Sequence, residues 1–173
     1  MAGSARMTTP APRALRRFGL IAAPMAAAVD QATKAWALEA LWPPYSEGIT
    51  LLPVLNLQLG FNTGVTFGMF AESAAGAVWL LVGIKLAVVA WLLLWLRRAA
   101  NRTEATAIGL IIGGALGNIL DRLRIGAVTD FIDARYGGWH RPTFNMADVA
   151  IVCGVTLLVL TSFRVPSPHA QPQ

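Results

Sequence analysis

The sequence predicts an all-α membrane protein: four transmembrane helices with a small extracytoplasmic β-like or amphipathic segment between the first and the second. Three observations predict it. The 173 residues are 55% hydrophobic and only 13% charged, with a mean hydropathy of +0.56, far more apolar than a single soluble core requires. The apolar residues gather into four runs, at about residues 18–41, 74–96, 104–121 and 145–163, close to the roughly 20 residues that span a bilayer as a helix. The net charge of +5 is carried by basic residues at the ends of these runs. They are not gathered in one patch with interleaved aromatics, so they read as topology signals and exclude a nucleic-acid surface.

Residues 1–12 are rich in Ala, Ser, Thr and Pro without apolar periodicity, which predicts a disordered cytoplasmic tail. A single domain over 13–165 and a short C-terminal tail, 166–173, complete the division. Arg13, Arg16 and Arg17 open the first helix, which is apolar except for Asp30, Gln31, Thr33 and Lys34. A cleaved signal peptide is the rival reading of this start, but DQATK interrupts the run where a small-residue cleavage site belongs. Asp30 and Lys34 are four apart, which places them on one helical face as an ion pair.

Pro43 and Pro44 end that helix. The segment to residue 73 contains no Lys or Arg and carries Glu47 and Glu72, so the positive-inside rule places it outside. Its β-branched and aromatic residues, with Gly60, Gly64 and Gly68, predict short strands or an amphipathic turn on the membrane surface. Asn62 with Gly64 reads either as a plain turn or as an amide placed to hold a peptide backbone.

The second helix runs over 74–96 into Arg97, Arg98 and Arg102, a cytoplasmic connection. Lys85 inside it is expected to serve a structural role. Gly109, Gly113 and Gly117 on the third helix form overlapping small-xxx-small steps that admit a neighbouring helix closely. Asn118, Asp121 and Arg122 follow at spacings of three and four, on one face, where a carboxylate held by the adjacent guanidinium is the economical arrangement. A polar connection carries Asp130 and Asp133 to the fourth helix, which opens at Asn145. The even number of helices puts both termini in the cytoplasm. No internal repeat is visible.

Few chemistries fit these residues. The lone cysteine, Cys153, excludes a disulfide framework within the chain and is expected to be a small buried hydrophobe. His140 and His169 are too few and too scattered for a zinc site, and no nucleophile elbow, HExxH or phosphate loop occurs. Carboxylates remain. Asp130 in VTDF and Asp148 in FNMAD flank one connection at the same membrane face, and two carboxylates brought close share a proton. One then activates water as general base while the other, protonated, polarises a carbonyl or donates to a leaving nitrogen. Taken alone, each aspartate also reads as a helix cap.

DQATK (Asp30 to Lys34), NTGVTFG (Asn62 to Gly68), GGALGNILDR (Gly113 to Arg122), VTDFID (Val128 to Asp133) and FNMAD (Phe144 to Asp148) resemble, in order, the motifs of bacterial lipoprotein signal peptidase, or signal peptidase II. The resemblance implies an intramembrane aspartic endopeptidase that cuts diacylglyceryl-modified prolipoproteins just before the lipidated cysteine. It implies Asp130 and Asp148 as the catalytic pair. Asp30, Asn62, Gly114, Asn118, Arg122 and Asn145 fall to binding and positioning, and Lys34, Gly64 and Asp121 to structural support. The segment around Asn62 corresponds to the family's extracytoplasmic strands and lid. No metal or other cofactor is implied. The expected partners are lipid-modified prolipoproteins and membrane lipids, with no nucleic acid, for a monomer in the bacterial inner membrane whose site faces outward. A small proton- or ion-coupled transporter is the alternative function, and a passive assembly subunit a third; polar groups gathered at one face without related halves weigh against the transporter.

Overall fold

The computed structural model describes residues 12–64, 74–136, 139–140 and 142–163. The tails expected over 1–12 and 166–173 fall almost wholly outside these residues, as do residues 65–73 of the segment around Asn62 where strands and a lid were expected. Helix α1 (Pro12–Ala40) starts on a proline, which costs nothing at a position whose N–H has no helical partner. It begins six residues before the expected start, and its second turn is held. The guanidiniums of Arg17 and Arg102 lie 5.2 and 5.1 Å from the Phe18 ring centroid, and Arg16 Nη2 donates to the Arg97 carbonyl at 3.4 Å. Strands β1 (Ile49–Leu52) and β2 (Leu55–Asn62) follow, then α2 (Ala74–Leu96), with the bounds the sequence predicts.

Helix α3 (Arg102–Ile125) is longer than expected at its far end. Asn101 caps its start, accepting the Glu104 N–H at 2.9 Å, and the Glu104 carboxylate accepts Trp95 Nε1 and the Ala100 N–H at 2.9 and 2.7 Å. Gly126, at φ +73°, closes the other end by donating its N–H to the Arg122 carbonyl at 3.1 Å. Asp121 and Arg122 therefore lie within the helix. Strands β3 (Val128–Tyr136) and β4 (Trp139–His140) lead to α4 (Met146–Ser162).

The sheet corrects the all-α expectation. Its four strands run antiparallel in the order β1-β2-β3-β4, so the connection between α3 and α4 supplies half of them. VTDFID is a strand paired along β2, Asp130 standing opposite Gly60 and Thr129 opposite Phe61. Val128, Thr129, Asp130 and Phe131 are all buried, so both faces of the strand are covered and the polar/apolar alternation of a half-exposed strand is lost. Ala37, Leu41, Leu59 and Phe131 form the small core that fixes the sheet to the C-terminal end of α1, with Trp36 edge-on to Phe131 at 6.4 Å. This docking sets the height of Asp130.

Glycines bring α1 and α4 against α3. A Cβ at Gly109 would stand 2.7 Å from Gly19 Cα, one at Gly113 would stand 2.7 Å from Ala26 Cβ, and one at Gly117 would overlap the Asp30 carboxylate. On the opposite side, Gly114 takes the Ala147 carbonyl of α4 and Gly154 takes the Ala107 carbonyl of α3. Helix α2 packs chiefly on α3 through Val82, Val89, Leu92 and Leu96, and among the described residues it has no comparable packing on α4.

Polarity is distributed the opposite way from a soluble protein. Leu20, Ile21, Met25, Leu80, Ile84, Leu94, Val152 and Leu160 are exposed, while Asp30, Lys34, Asn118, Asp121 and Arg122 are buried. That pattern suits a hydrocarbon solvent, and Val78–Leu96 and Arg102–Ile125 are long and apolar enough to cross a membrane. The chain is an integral membrane protein. The same logic corrects Cys153, which is exposed on an apolar groove with Met25, Val29 and Leu110; in such a protein an apolar run predicts contact with lipid as readily as burial.

Candidate active site

Asp130 reaches the sheet-bearing end of the bundle from β3 and is 1% exposed. Its Oδ1 accepts the side-chain amide of Asn145 at 2.6 Å, and Asn62 at the end of β2 supplies a second side-chain hydrogen bond. Burial pushes the Asp130 carboxyl up to about 6. The charge of Asp148 adds to the rise, and the bonds from Asn62 and Asn145 and the charge of Lys34 oppose it.

Asp148 occupies the third position of α4, half-buried. Its Oδ2 accepts the Asn145 N–H at 3.3 Å while the Asn145 Oδ1 accepts the Asp148 N–H at 3.1 Å, a reciprocal capping box. Its Oδ1 accepts Asn118 Nδ2 at 3.0 Å. Asn145 is thus spent completely: its amide protons go to Asp130 and to Asn118 Oδ1, the latter at 3.2 Å, and its oxygen goes to Asp148. The cap reading and the paired-carboxylate reading of Asp148 are both true of the geometry.

Beneath this pair lies Lys34, 2% exposed. Its three N–H groups match three acceptors: Asp30 Oδ2 at 2.8 Å, Asp121 Oδ2 at 3.0 Å and Asn118 Oδ1 at 3.0 Å. Asp30 also accepts the Ala147 N–H of α4 at 2.8 Å, a carboxylate at a helix N-terminus where the dipole favours it. Asp121 accepts the Thr129 N–H at 2.9 Å, tying α3 to β3. Four separate elements are locked together by one ammonium and two carboxylates, and Asn118 passes that rigidity to Asp148.

The family model for Signal peptidase (SPase) II matches residues 22–164, a stretch that contains this whole constellation. The chain belongs to the signal peptidase II family. It is 44% identical over 154 residues to the lipoprotein signal peptidase of Methylorubrum extorquens (strain PA1), covering 89% of this chain and 90% of the relative. It is 38% identical over 161 residues to that of Beijerinckia indica, covering 90% and 96%. A bacterial membrane enzyme solved by the in meso method at 1.9 Å superposes with a TM-score of 0.75 at 27% identity, over 86% of this chain and 94% of that one. Membership in a peptidase family removes the support for a transporter.

Within this signal peptidase II chain, the expected site residues divide. Asp30, Asn62, Asn118, Asn145, Asp130 and Asp148 converge, with Lys34 and Asp121 beneath them. Gly114 does not face the site; it packs under Ala147 and Ile151. The expected Asp121–Arg122 pairing is replaced: Asp121 holds Lys34, and Arg122 Nη1 donates to the Asn118 carbonyl at 3.4 Å while its buried Nε has no partner among the described residues. Helix geometry explains the swap, since side chains one apart diverge by 100°. Asn62 and Gly64 form a turn, with the Gly64 N–H on Asn62 Oδ1 at 2.8 Å and Gly64 at φ +75°. Sequence reasoning missed Gln31, whose amide nitrogen reaches Asp121 Oδ1 at 3.0 Å, although its position beside Asp30 was the available signal. It also left Lys85 outside the site, yet Asp148, Asp130 and Arg122 are among the charges that act on it.

Proposed function

We propose that this family member is an intramembrane aspartic endopeptidase of the bacterial inner membrane that removes the signal peptide from diacylglyceryl-modified prolipoproteins before the lipidated cysteine. Asp130 and Asp148 are the catalytic pair. One observation carries the reading: Asn145, while capping α4 through Asp148, also donates its side-chain amide to Asp130, so one residue holds two carboxylates that arrive from a helix and a strand.

Asp130, buried and raised toward 6, holds the proton and gives it to the scissile carbonyl oxygen. Asp148, half-buried, takes a proton from the attacking water. The tetrahedral adduct then collapses as the proton on Asp148 passes to the leaving nitrogen, and the adduct hydroxyl returns its proton to Asp130. Asn118 and Asn145 fix the two carboxylates, Asp30 and Lys34 hold the frame, and Asn62 and Arg122 position substrate. A lipidated precursor enters laterally, while water comes from the outer face. Four membrane spans with both termini in the cytoplasm place the site outward, and the pair is complete within one chain, which suits a monomer.

The test is cleavage of a lipidated precursor by purified enzyme in detergent. Asp130→Asn and Asp148→Asn are each expected to lower kcat on the order of 10³-fold or more with the fold retained. Retained turnover in either variant would end the two-carboxylate mechanism. Reporters after Arg98 and near Glu47 are expected to read cytoplasmic and external, and the reverse pattern would overturn the topology.

A further inference from the structure

Lys85 is the sole charged residue of α2 (Ala74–Leu96). The buried positions of that helix are Val82, Val89, Leu92 and Leu96, a seam at spacings of seven, three and four, and Lys85 lies in the middle of it, three residues after Val82 and four before Val89. Its neighbours Ile84 and Leu86 point to lipid, so the lysine faces the bundle.

Its depth follows from Gly64. A Cβ there would stand 2.7 Å from Leu81 Cδ1 and 3.1 Å from Arg122 Nη2, so Leu81 and Arg122 share one level. Helices α2 and α3 run in opposite directions. One turn inward from that level, about 5–6 Å, α2 presents Lys85 and α3 presents Asn118, the residue that holds Asp148.

Lys34, by contrast, is saturated by three acceptors. Lys85 Nζ has no hydrogen bond or ion pair among the described residues, an expensive state for an ammonium turned into a membrane bundle.

The substrate can supply an acceptor. A peptide bond must be extended to be attacked, so the residues preceding it have left the signal-peptide helix and carry carbonyls without helical partners. Hydrocarbon cannot satisfy them. We propose that Lys85 is a substrate-positioning residue: its ammonium donates to backbone carbonyls on the signal-peptide side of the scissile bond. This rests on the Asp130–Asp148 reading above.

The experiment measures steady-state cleavage of a lipidated precursor across pH, with thermal unfolding of each variant in detergent. Lys85→Met is expected to raise KM about tenfold with kcat within twofold, an unmoved pH profile and an unfolding temperature equal to or above the native one, since no hydrogen bond or ion pair among the described residues is lost. Lys85→Arg is expected to return KM to within about threefold of native. An unchanged KM in Lys85→Met overturns the proposal, as does a shifted pH profile at constant KM, which would make Lys85 a modulator of the aspartates. A lowered unfolding temperature also overturns it, because it would show a structural role. Asp148→Asn, run in parallel, tests the catalytic reading separately, for its failure would appear in kcat of that variant alone.

Discussion

The side-chain amide of Asn145 donates to Asp130 Oδ1 at 2.6 Å, a short bond between a helix cap and a strand that no local sequence rule connects. Because the same residue caps α4 and accepts the Asp148 N–H, the position of one carboxylate is set by the residue that sets the other. Asn145→Ala therefore is expected to do two separable things. Loss of the cap lowers stability by about 1 kcal/mol. Loss of the shared donor lowers kcat by on the order of 10²-fold, measured at a temperature where the variant is fully folded. A kcat within threefold of native would show that the bridge does not organise the pair.

Lys34 is the charge on which the frame depends. In Lys34→Met, Asp30 and Asp121 stay buried without their cation, and breaking such a pair costs about 3–5 kcal/mol. Thermal unfolding in detergent should show that loss, and adding Asp121→Asn should recover part of it, because the second uncompensated charge is then gone. A double variant no more stable than the single one would mean that the two charges are not coupled.

The parts of this arrangement that were legible in the sequence are the local ones. The Asp30–Lys34 pair follows from helical spacing, and it stands at 2.8 Å. The limits of α2 follow from an apolar run closed by Arg97 and Arg98. The glycines of α3 were readable as contact points, although which neighbour each one met was not: Gly117 faces the Asp30 carboxylate and Gly114 faces Ala147. What failed to show was tertiary. Strand β3 is covered on both faces and so lacks alternation. Arg122 adjoins Asp121 in sequence, but the partner of Asp121 is Lys34, 87 positions earlier in the chain. Lys85 looked isolated because the phase of α2 relative to α3 is fixed by packing at Val82 and Val89, which no pattern within α2 discloses.

Two glycines on neighbouring helices should respond oppositely to the same change. Gly117→Ala drives a methyl into the Asp30 carboxylate, which also anchors the Ala147 N–H and Lys34. Overpacking of this kind costs about 1–3 kcal/mol, and the displaced carboxylate should lower cleavage as well. Gly83→Ala meets nothing within 4 Å and should leave unfolding temperature and activity at or slightly above native. Equal behaviour of the two variants would show that α1 is not held to α3 through this contact.

Asp130 gives the chain a pH dependence whose sign can be worked out. Its carboxyl is raised from 3.8 to about 6, first by burial. Between those values the folded chain keeps a proton that the unfolded chain has released, so stability falls as pH rises through the interval and levels off above about 6. Asp130→Asn should flatten that slope in unfolding temperatures measured from pH 4 to 7. In the proposed mechanism the same proton serves catalysis, so kcat/KM should decline as pH rises through about 6. Asn62 stabilises the ionised form by its hydrogen bond; in Asn62→Leu the carboxyl holds its proton to higher pH, and the declining limb of the kcat/KM profile should move upward. A limb that moves downward, or stays in place while Asp130→Asn abolishes it, would show that Asn62 does not act on the proton of Asp130.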